Sequence, residues 1–572
     1  MAEQRTIGKT MLRLLKAALL PVFICLAILS ACTNEYIVPR TTIVPEIPDI
    51  TAEPTAEAVP SGGILSAAVL GSADSINPIN TLNEDIIDLS AFFYEPLIRL
   101  GSSMSPEPVL AEDWRSDDAV NWTIKLRENV FFHDGSPLTG EDVAMTIGAV
   151  KQGGGAYADL VSKIAEVTAS GSEVSIRLSE KDGLFPWKLF FPILKANETG
   201  SKYPSGTGPF SVTDAHFYDG GVVRFDRFEG YREGKTNIDA FELRFFSDAA
   251  KKAVSGCDII ILTDDAAIKY GSQLGYGVRR FDDNSLICIV PYLYTGEKIT
   301  YDLDGKNKIE QLPTKRIEAT SLNMRQALAE IVDRERAIER TVSGWGKAYD
   351  LPGFDNCIFR KNIELRTPSI TAAEKLLEAE GYKHEGGNSN WFTADDTDKK
   401  KPLTVNFLVD SEDVELIHAC DSVVSKLKSL GVKTTVKVAT GGEFTALFLS
   451  GEYDYTFLRL NMSFAPDMAD AFANDSIFNY NGYDTSWITG KLSGMTGGWK
   501  GGKNGPEACA DFADQYCDGM EEIYARLKND IPFLGLYVRS NCLLYSGRLN
   551  WSDSAGVESW NLFPDITEWY LV

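Results

Sequence analysis

The chain reads as an α/β protein of two lobes, and three observations say so. Its 572 residues exceed what one hydrophobic core serves, so more than one packed unit is expected. Two separate stretches alternate period-two strands with helices of 3.6-residue period. No repeat of fixed length is visible between them, which sets a repeat array aside.

The front end is a leader. Arg5, Lys9, Arg13 and Lys16 precede the uncharged run AALLPVFICLAILSA, which stops at Cys32. That run is shorter than the roughly 20 residues of a spanning helix, and Pro21 interrupts it. Residues 1–31 therefore suit a cleaved secretory signal. The tetrapeptide LSAC (Leu29 to Cys32) resembles the lipobox of bacterial lipoproteins, which implies diacylglycerol attachment at Cys32. The alternative is an ordinary secretory signal with an incidental cysteine. Residues 32–61 carry Pro39, Pro45, Pro48, Pro54 and Pro60 without apolar periodicity, the pattern of an extended tether. A domain held just outside a membrane is expected, with its fold beginning near Gly62.

The formal charge of −25 disfavours nucleic acid as a partner and favours solubility. Beyond Cys32 stand Cys257, Cys288, Cys357, Cys420, Cys509, Cys517 and Cys542, without CxxC spacing. Buried thiols are expected rather than a disulfide scaffold or zinc site, although Cys509 and Cys517 could pair. His133, His216, His384 and His418 are scattered, so no metal site is expected. The GGWKGGKN run lacks the Ser or Thr of a phosphate loop and has no strand before it, so it reads as a plain loop.

The clearest α/β unit comes late. LTVNFLV places Leu403, Val405, Phe407 and Val409 on one face of a strand. EDVELIHACDSVVSKLKSLG follows as a helix ending on Gly431. VKTTVKV, GEFTALFLSG and YDYTFLRL then read as strand, helix and strand, which implies parallel pairing. Earlier, GVVRFDRF, AFELRFF and CDIIILT read as strands. Between the two units, Leu328, Ile331, Val332, Ile338 and Val342 keep helical spacing, and Thr371 with Glu374 reads as a capping box.

VNWTIKL is a strand with one buried face, and FFHDGS turns after it on Asp134-Gly135. Thr139 and Asp142 cap the next helix. His133 and Asp134 therefore sit at a strand end with no serine or cysteine nucleophile motif nearby, and a structural role is expected for both. No catalytic residue is assigned. An extracellular hydrolase built on this pair stays open as an alternative.

At these residues the chain resembles the family 5 extracellular solute-binding proteins of ABC importers, and the likeness spans almost everything from Gly62 onward. PEPVLAEDWRSDDAVNWTIKLRENVFFHDGSPLTGEDVAMTI is similar to that family's signature region. ADSINPIN, FFYEPLIRLG, SGTGPFSV, EGYREGKTNIDAFELRF, MRQALAEIVDRERAIERTVSGWGKA, AAEKLLEAEGY and NDIPFLGLYVRSNCLLYS resemble family segments in the same order. The resemblance implies a type II periplasmic-binding-protein-like fold with a subdomain inserted in lobe one. Mapped here, lobe one is 62–289 plus 538–572, with the insert at about 74–204, and lobe two is 290–537. The hinge candidates are IVPY and LYVR, where the chain changes lobe.

By the same resemblance, ligand contacts fall on Asn77, Tyr94, Glu95, Arg459, Asn461, Met462, Ser463 and Trp487. The implied ligand is a small solute, a peptide or peptide-like compound, delivered to a permease and ATPase complex. A monomer without a cofactor is expected, lipid-anchored on the extracytoplasmic face of a bacterial membrane. A two-lobed sensor without transport is the other alternative. One departure bears on the ligand. Peptide-binding relatives carry an aspartate for the ligand's amine where this chain has Ser463, with Asp467 and Asp470 out of register. Arg459, four residues before Ser463, would share its face at period two. That pairing suits an anionic or polyhydroxylated ligand, or a peptide whose amine is met elsewhere.

Overall fold

The structure, a computed structural model, describes residues 60–572 apart from 213–215, 219–220, 264–272, 295–296, 302–306, 312–316, 356, 361–363, 386–389, 395–399, 465–467, 469, 473–480 and 552–556. The leader, Cys32, the tether and Asp467 lie outside the described residues. Among those described, no helix is long and apolar enough to cross a membrane.

One sheet of eleven strands organises the chain. Its first members are β1 (Ile64–Leu70), β2 (Val222–Asp226), β3 (Ala240–Phe246), β4 (Ile259–Leu262) and the long β5 (Gly277–Pro291). They are followed by β6 (Thr404–Asp410), β7 (Lys433–Ala439), β8 (Tyr455–Asn461) and β9 (Leu534–Tyr545). Across the sheet the order is β7–β6–β8–β5–β9–β4–β1–β3–β2, then a short strand His216–Tyr218; Gly346–Ala348 pairs with β9 off this path. β1 lies parallel to β3 and β4, and β6 lies parallel to β7 and β8, as the strand–helix alternation requires. Leu403, Val405, Phe407 and Val409 are all buried, whereas Val436 and Val438 are exposed because β7 is an edge strand.

β5 and β9 join the two halves of the sheet. They pair from Gly277–Tyr545 to Asp282–Ser540, lose register, and resume at Leu286–Val538. A second shift falls between Ile287 and Cys288. LYVR lies on β9 across this irregular stretch. IVPY (289–292) begins just after the second shift, in a stretch of β5 that pairs regularly with β8, and the first break lies several residues before it. Bulged pairing bends a strand and raises its twist, which suits the join.

The helical run predicted over 322–342 is two helices, α2 (Leu322–Ile331) and α3 (Arg334–Val342), when α1 is Gly140–Gly153. Val332 turns extended, and Asp333 then caps α3 by accepting from the Arg336 N–H at 3.0 Å. α4 (Ile370–Ala379) is capped by Ser369, whose Oγ accepts from the Ala372 N–H at 3.3 Å, so Thr371 lies inside the helix and not at its cap. The Thr139–Asp142 box is present, with both the N–H and Oγ of Thr139 donating to Asp142 at 2.8 Å. α5 (Val414–Ser429) and α6 (Gly441–Ser450) connect β6, β7 and β8, and Gly431 takes the positive φ (+79°) expected after α5.

The inserted segment carries an antiparallel sheet of Ala111–Arg115, Asn121–Leu126, Glu173–Leu178 and Ile164–Ser170. Against it packs α8 (Gly505–Asp530), with α7 (Ser486–Thr496) packed on α8; the sequence division places both helices in lobe two. Aromatic residues form the seam. Trp122 meets Trp499 at 4.8 Å between ring centroids, and Trp187 meets Phe512 at 6.1 Å. The Trp499 indole donates to the Ser116 carbonyl at 2.9 Å, and the Gly183 N–H donates to the Thr496 carbonyl at 2.8 Å. GGWKGGKN is thus a loop anchored by its buried tryptophan, with Lys503 paired to Glu507 and Asp511.

Candidate functional site

His133 is buried, and both ring nitrogens are engaged by backbone. Nδ1 accepts from the N–H groups of Gly206 and Val212, at 3.1 and 3.2 Å. Nε2 lies 3.1 Å from the Gly208 carbonyl and donates to it, which assigns the neutral Nε2–H tautomer. Burial pushes its pKa down to about 4, only partly offset by the Gly208 carbonyl and Asp134. Asp134 turns away, accepting from Ser136 N–H and Oγ and pairing with Lys195. The pair is a bracket for residues 205–212, and it offers no free base to a substrate.

Asn77, Tyr94 and Glu95 serve the same neighbourhood. Asn77 caps a short turn through the Ile79 N–H at 3.2 Å and donates to the carbonyls of Thr199 and Ser201. The Tyr94 hydroxyl donates to the Pro204 carbonyl at 3.1 Å. Glu95 accepts from Arg232 Nε at 2.8 Å and from the Tyr231 hydroxyl at 3.2 Å. Burial raises the Glu95 pKa, and Arg232 opposes the shift.

The Arg459 guanidinium is held by Asp413 at 2.6 and 3.1 Å and by Glu415 at 2.6 Å. It does not line a cavity with Ser463, because β8 ends at Asn461 and the period-two alternation ends with it. The anionic-ligand expectation therefore loses its cation. Trp487 is half-buried on α7 beneath the Arg526 guanidinium, 4.0 Å from the ring centroid.

Of the eight nominated residues, three come together. Asn461, Met462 and Ser463 leave the end of β8 and, with Leu460, form one wall of a cavity with about 90 Å³ open to the centres of water molecules. The β5 irregularity lies alongside: Ser285 pairs with Asn461, and the Met462 N–H donates to the Asn284 carbonyl at 2.6 Å. Gly353, Phe354, Cys357 and Phe359 add further lining. Met104 from the inserted segment, Met468, and Met520 with Tyr524 on α8 complete it. Asn461 and Ser463 are exposed, and Met462 is buried.

Two backbone features mark the cavity wall. Gly353 has φ +110°, and a Cβ there would lie 2.7 Å from the Tyr524 hydroxyl, so only glycine fits. Met104 is a non-glycine at φ +59°, with its carbonyl accepting from the Trp187 indole at 2.8 Å. The sequence reading missed Met104, Gly353, Cys357, Met468, Met520 and Tyr524. A usable signal existed: four of the chain's nine methionines converge here, and two of them stand six residues apart after β8. All seven described cysteines are buried and Cys509 and Cys517 do not form a disulfide, and among the described residues no His, Cys, Asp and Glu group could hold a metal ion.

Comparison with known proteins agrees with this architecture. Residues 105–481 match the model of the bacterial extracellular solute-binding proteins, family 5. The oligopeptide-binding protein AppA of Bacillus subtilis is 23% identical over 561 residues, covering 91% of this chain and 93% of that protein. The nickel-binding periplasmic protein of Escherichia coli is 26% identical over 316 residues, covering 51% and 56%. In fold, the structure is similar to a nickel ABC transporter protein from Bacillus halodurans, with TM-score 0.67 and 19% identity over 86% of this chain and 97% of that one. The fold is that of the two-lobed type II periplasmic binding proteins. The chain belongs to the family 5 bacterial extracellular solute-binding proteins, the substrate-binding proteins of ABC transporters.

Proposed function

We propose that this protein is a lipid-anchored binding protein that captures a peptide-like solute beside the β5–β9 join and delivers it to an ABC importer. The observation that carries this reading is the cavity at the end of β8. It is built from the inserted segment, the 353–359 segment, the β8 end and α8, and it adjoins the register break of β5. A ligand bound there touches both halves of the chain next to the strands that join them, so its binding energy is available to hold the halves closed. Asn461, Met462 and Ser463 are the ligand-contacting residues retained from the sequence reading. Asn77 and Tyr94 support the 199–204 segment, Glu95 holds Tyr231 and Arg232, and Arg459 and Trp487 brace β8 and α7.

Native mass spectrometry of protein from its own host tests the reading. A co-purified small solute, displaced by widening or filling the cavity, is the expected result. Finding no ligand while an adjacent kinase responds to the protein would favour the sensor alternative. The anchor rests on LSAC alone: Cys32→Ala is expected to abolish palmitate labelling and partition into detergent, and retained labelling overturns it.

A further inference from the structure

Resting on the reading of this cavity as the ligand site, we infer that it receives an uncharged, apolar group of side-chain size and discriminates by charge rather than by shape. Among the described residues the lining carries no carboxylate, ammonium or guanidinium, and the Arg360 guanidinium, which donates to the Gly353 carbonyl, is paired with Asp355. Its interior polar atoms are thioether sulfurs, the Cys357 thiol and the Tyr524 hydroxyl, and two of the sulfurs already accept hydrogen bonds. The Gly353 N–H donates to Met462 Sδ at 3.1 Å, and the Tyr524 hydroxyl donates to Met468 Sδ at 3.5 Å.

Two ligand chemistries compete for a cavity rich in sulfur. A soft metal ion would take thioethers and a thiolate as donors. Against it, the Cys357 thiol is pushed up to about 12 by burial and stays protonated, and the hydrogen bonds to Met462 and Met468 compete for their lone pairs. An apolar group needs none of these donors. It displaces water from a surface that holds water poorly, since a buried water needs two to four polar partners. Phe354, Phe359 and Leu460 add apolar area, and Met104, Met462, Met468 and Met520 are unbranched and adapt to differently shaped occupants. The accessible volume admits several water centres and so fits one side chain, while Asn461 and Ser463 at the exposed rim face the rest of the ligand.

A charged group finds no partner of opposite charge among the described lining residues. Burying it without one is strongly unfavourable, so a lysyl or glutamyl side chain is excluded whatever its length. Branched, linear and aromatic side chains are separated far less, because methionines repack around each.

The test titrates the purified full chain by calorimetry with the N-acetyl amides of leucine, methionine, phenylalanine, lysine and glutamic acid, and with copper(I) and nickel(II). The three apolar probes are expected to bind within about tenfold of one another, and the two charged probes at least about a hundredfold more weakly. Ala471→Phe fills the cavity and is expected to abolish apolar binding. Ser463→Trp, at an exposed position where folding is not at risk, is expected to weaken it by closing the mouth. Charged probes that bind as tightly as apolar ones, and are lost in both variants, overturn the charge rule and leave the site standing. Apolar binding untouched by both variants overturns the site and this inference with it. Absence of apolar binding, or metal binding abolished by Met462→Leu, overturns the inference on the apolar occupant.

Discussion

The His133 corner and the β8 cavity both join the inserted segment to the rest of the chain, and they use their chemistry in opposite ways. At the corner the polar side chains are occupied by protein partners: Nδ1 takes two backbone N–H groups, Nε2–H takes a carbonyl, and the exposed Asp134 takes Ser136 and Lys195. At the cavity the walls are apolar, the adaptable side chains face open volume, and the polar residues Asn461 and Ser463 stand at the rim. The residue types most often associated with catalysis are the ones fully committed to scaffold. The proposed binding site is marked by unfilled volume next to the β5–β9 join, and not by a histidine beside an aspartate.

The sharpest way to break this contrast is to remove the imidazole. His133→Ala leaves the N–H groups of Gly206 and Val212 and the Gly208 carbonyl without their partner. One orphaned buried group costs about 1–3 kcal/mol, so a loss of about 4 kcal/mol in unfolding free energy is expected for three, with some relief from entering water. Ligand affinity, measured on protein that is still folded, is expected to stay within twofold. Unchanged stability with lost binding would move the site to the corner.

Acid acts on the same group with a sign that can be stated in advance. The folded-state pKa of His133 lies near 4, below the ordinary value near 6.5, so the unfolded chain binds the proton more readily. Its contribution is fully present above pH 6.5 and is lost as pH falls toward 4. At 1.36 kcal/mol per unit the loss is about 3 kcal/mol. Other carboxylates titrate in the same window, so the measurement is a difference. His133→Asn, which cannot titrate, is expected to lose about 3 kcal/mol less than the wild type between pH 7 and pH 4. Parallel curves would mean the imidazole is charged in the fold.

The legibility of the chain follows the same division. The unit from Leu403 to Asn461 was readable because β6 and β8 carry buried apolar residues and β7 keeps the alternation although its valines are exposed, so a period stands in the sequence. Boundaries set by one hydrogen bond were not readable: nothing in composition distinguishes Ser369 from Thr371 as the cap of α4, or shows that Asp333 divides α2 from α3. Asn77 and Tyr94 match family positions, yet sequence does not display the carbonyls of Thr199 and Pro204 that take their hydrogen bonds. The cavity was least legible. Met104, Cys357, Met462 and Met520 are far apart in the chain, and each alone reads as ordinary core.

A smaller effect is expected at Arg459, which tests whether the cavity borrows charge from its neighbour. Its guanidinium is about a third exposed and held by two carboxylates, one of them the cap of α5. Arg459→Gln is expected to cost roughly 2 kcal/mol of stability, because Asp413 and Glu415 then face each other unscreened. No change in affinity is expected, whatever the ligand's charge. A tenfold loss for anionic ligands alone, without a loss of stability, would restore the guanidinium to the binding site.

The smallest effect is a gain, and it probes the rim. The family resemblance implies an aspartate in peptide-binding relatives where this chain has Ser463, and an ammonium needs such a partner when it is buried. Ser463 is exposed at the cavity mouth, so a carboxylate placed there meets its partner in solvent. Ser463→Asp is therefore expected to improve binding of free-amine peptides over their N-acetylated forms by only about 0.5–1 kcal/mol, roughly two- to fivefold. The preference is expected to fade between low and high salt, as an exposed pair does. A gain of a hundredfold that survives salt would show the amine is enclosed on ligand binding, and that residue 463 lies inside the closed site rather than at its edge.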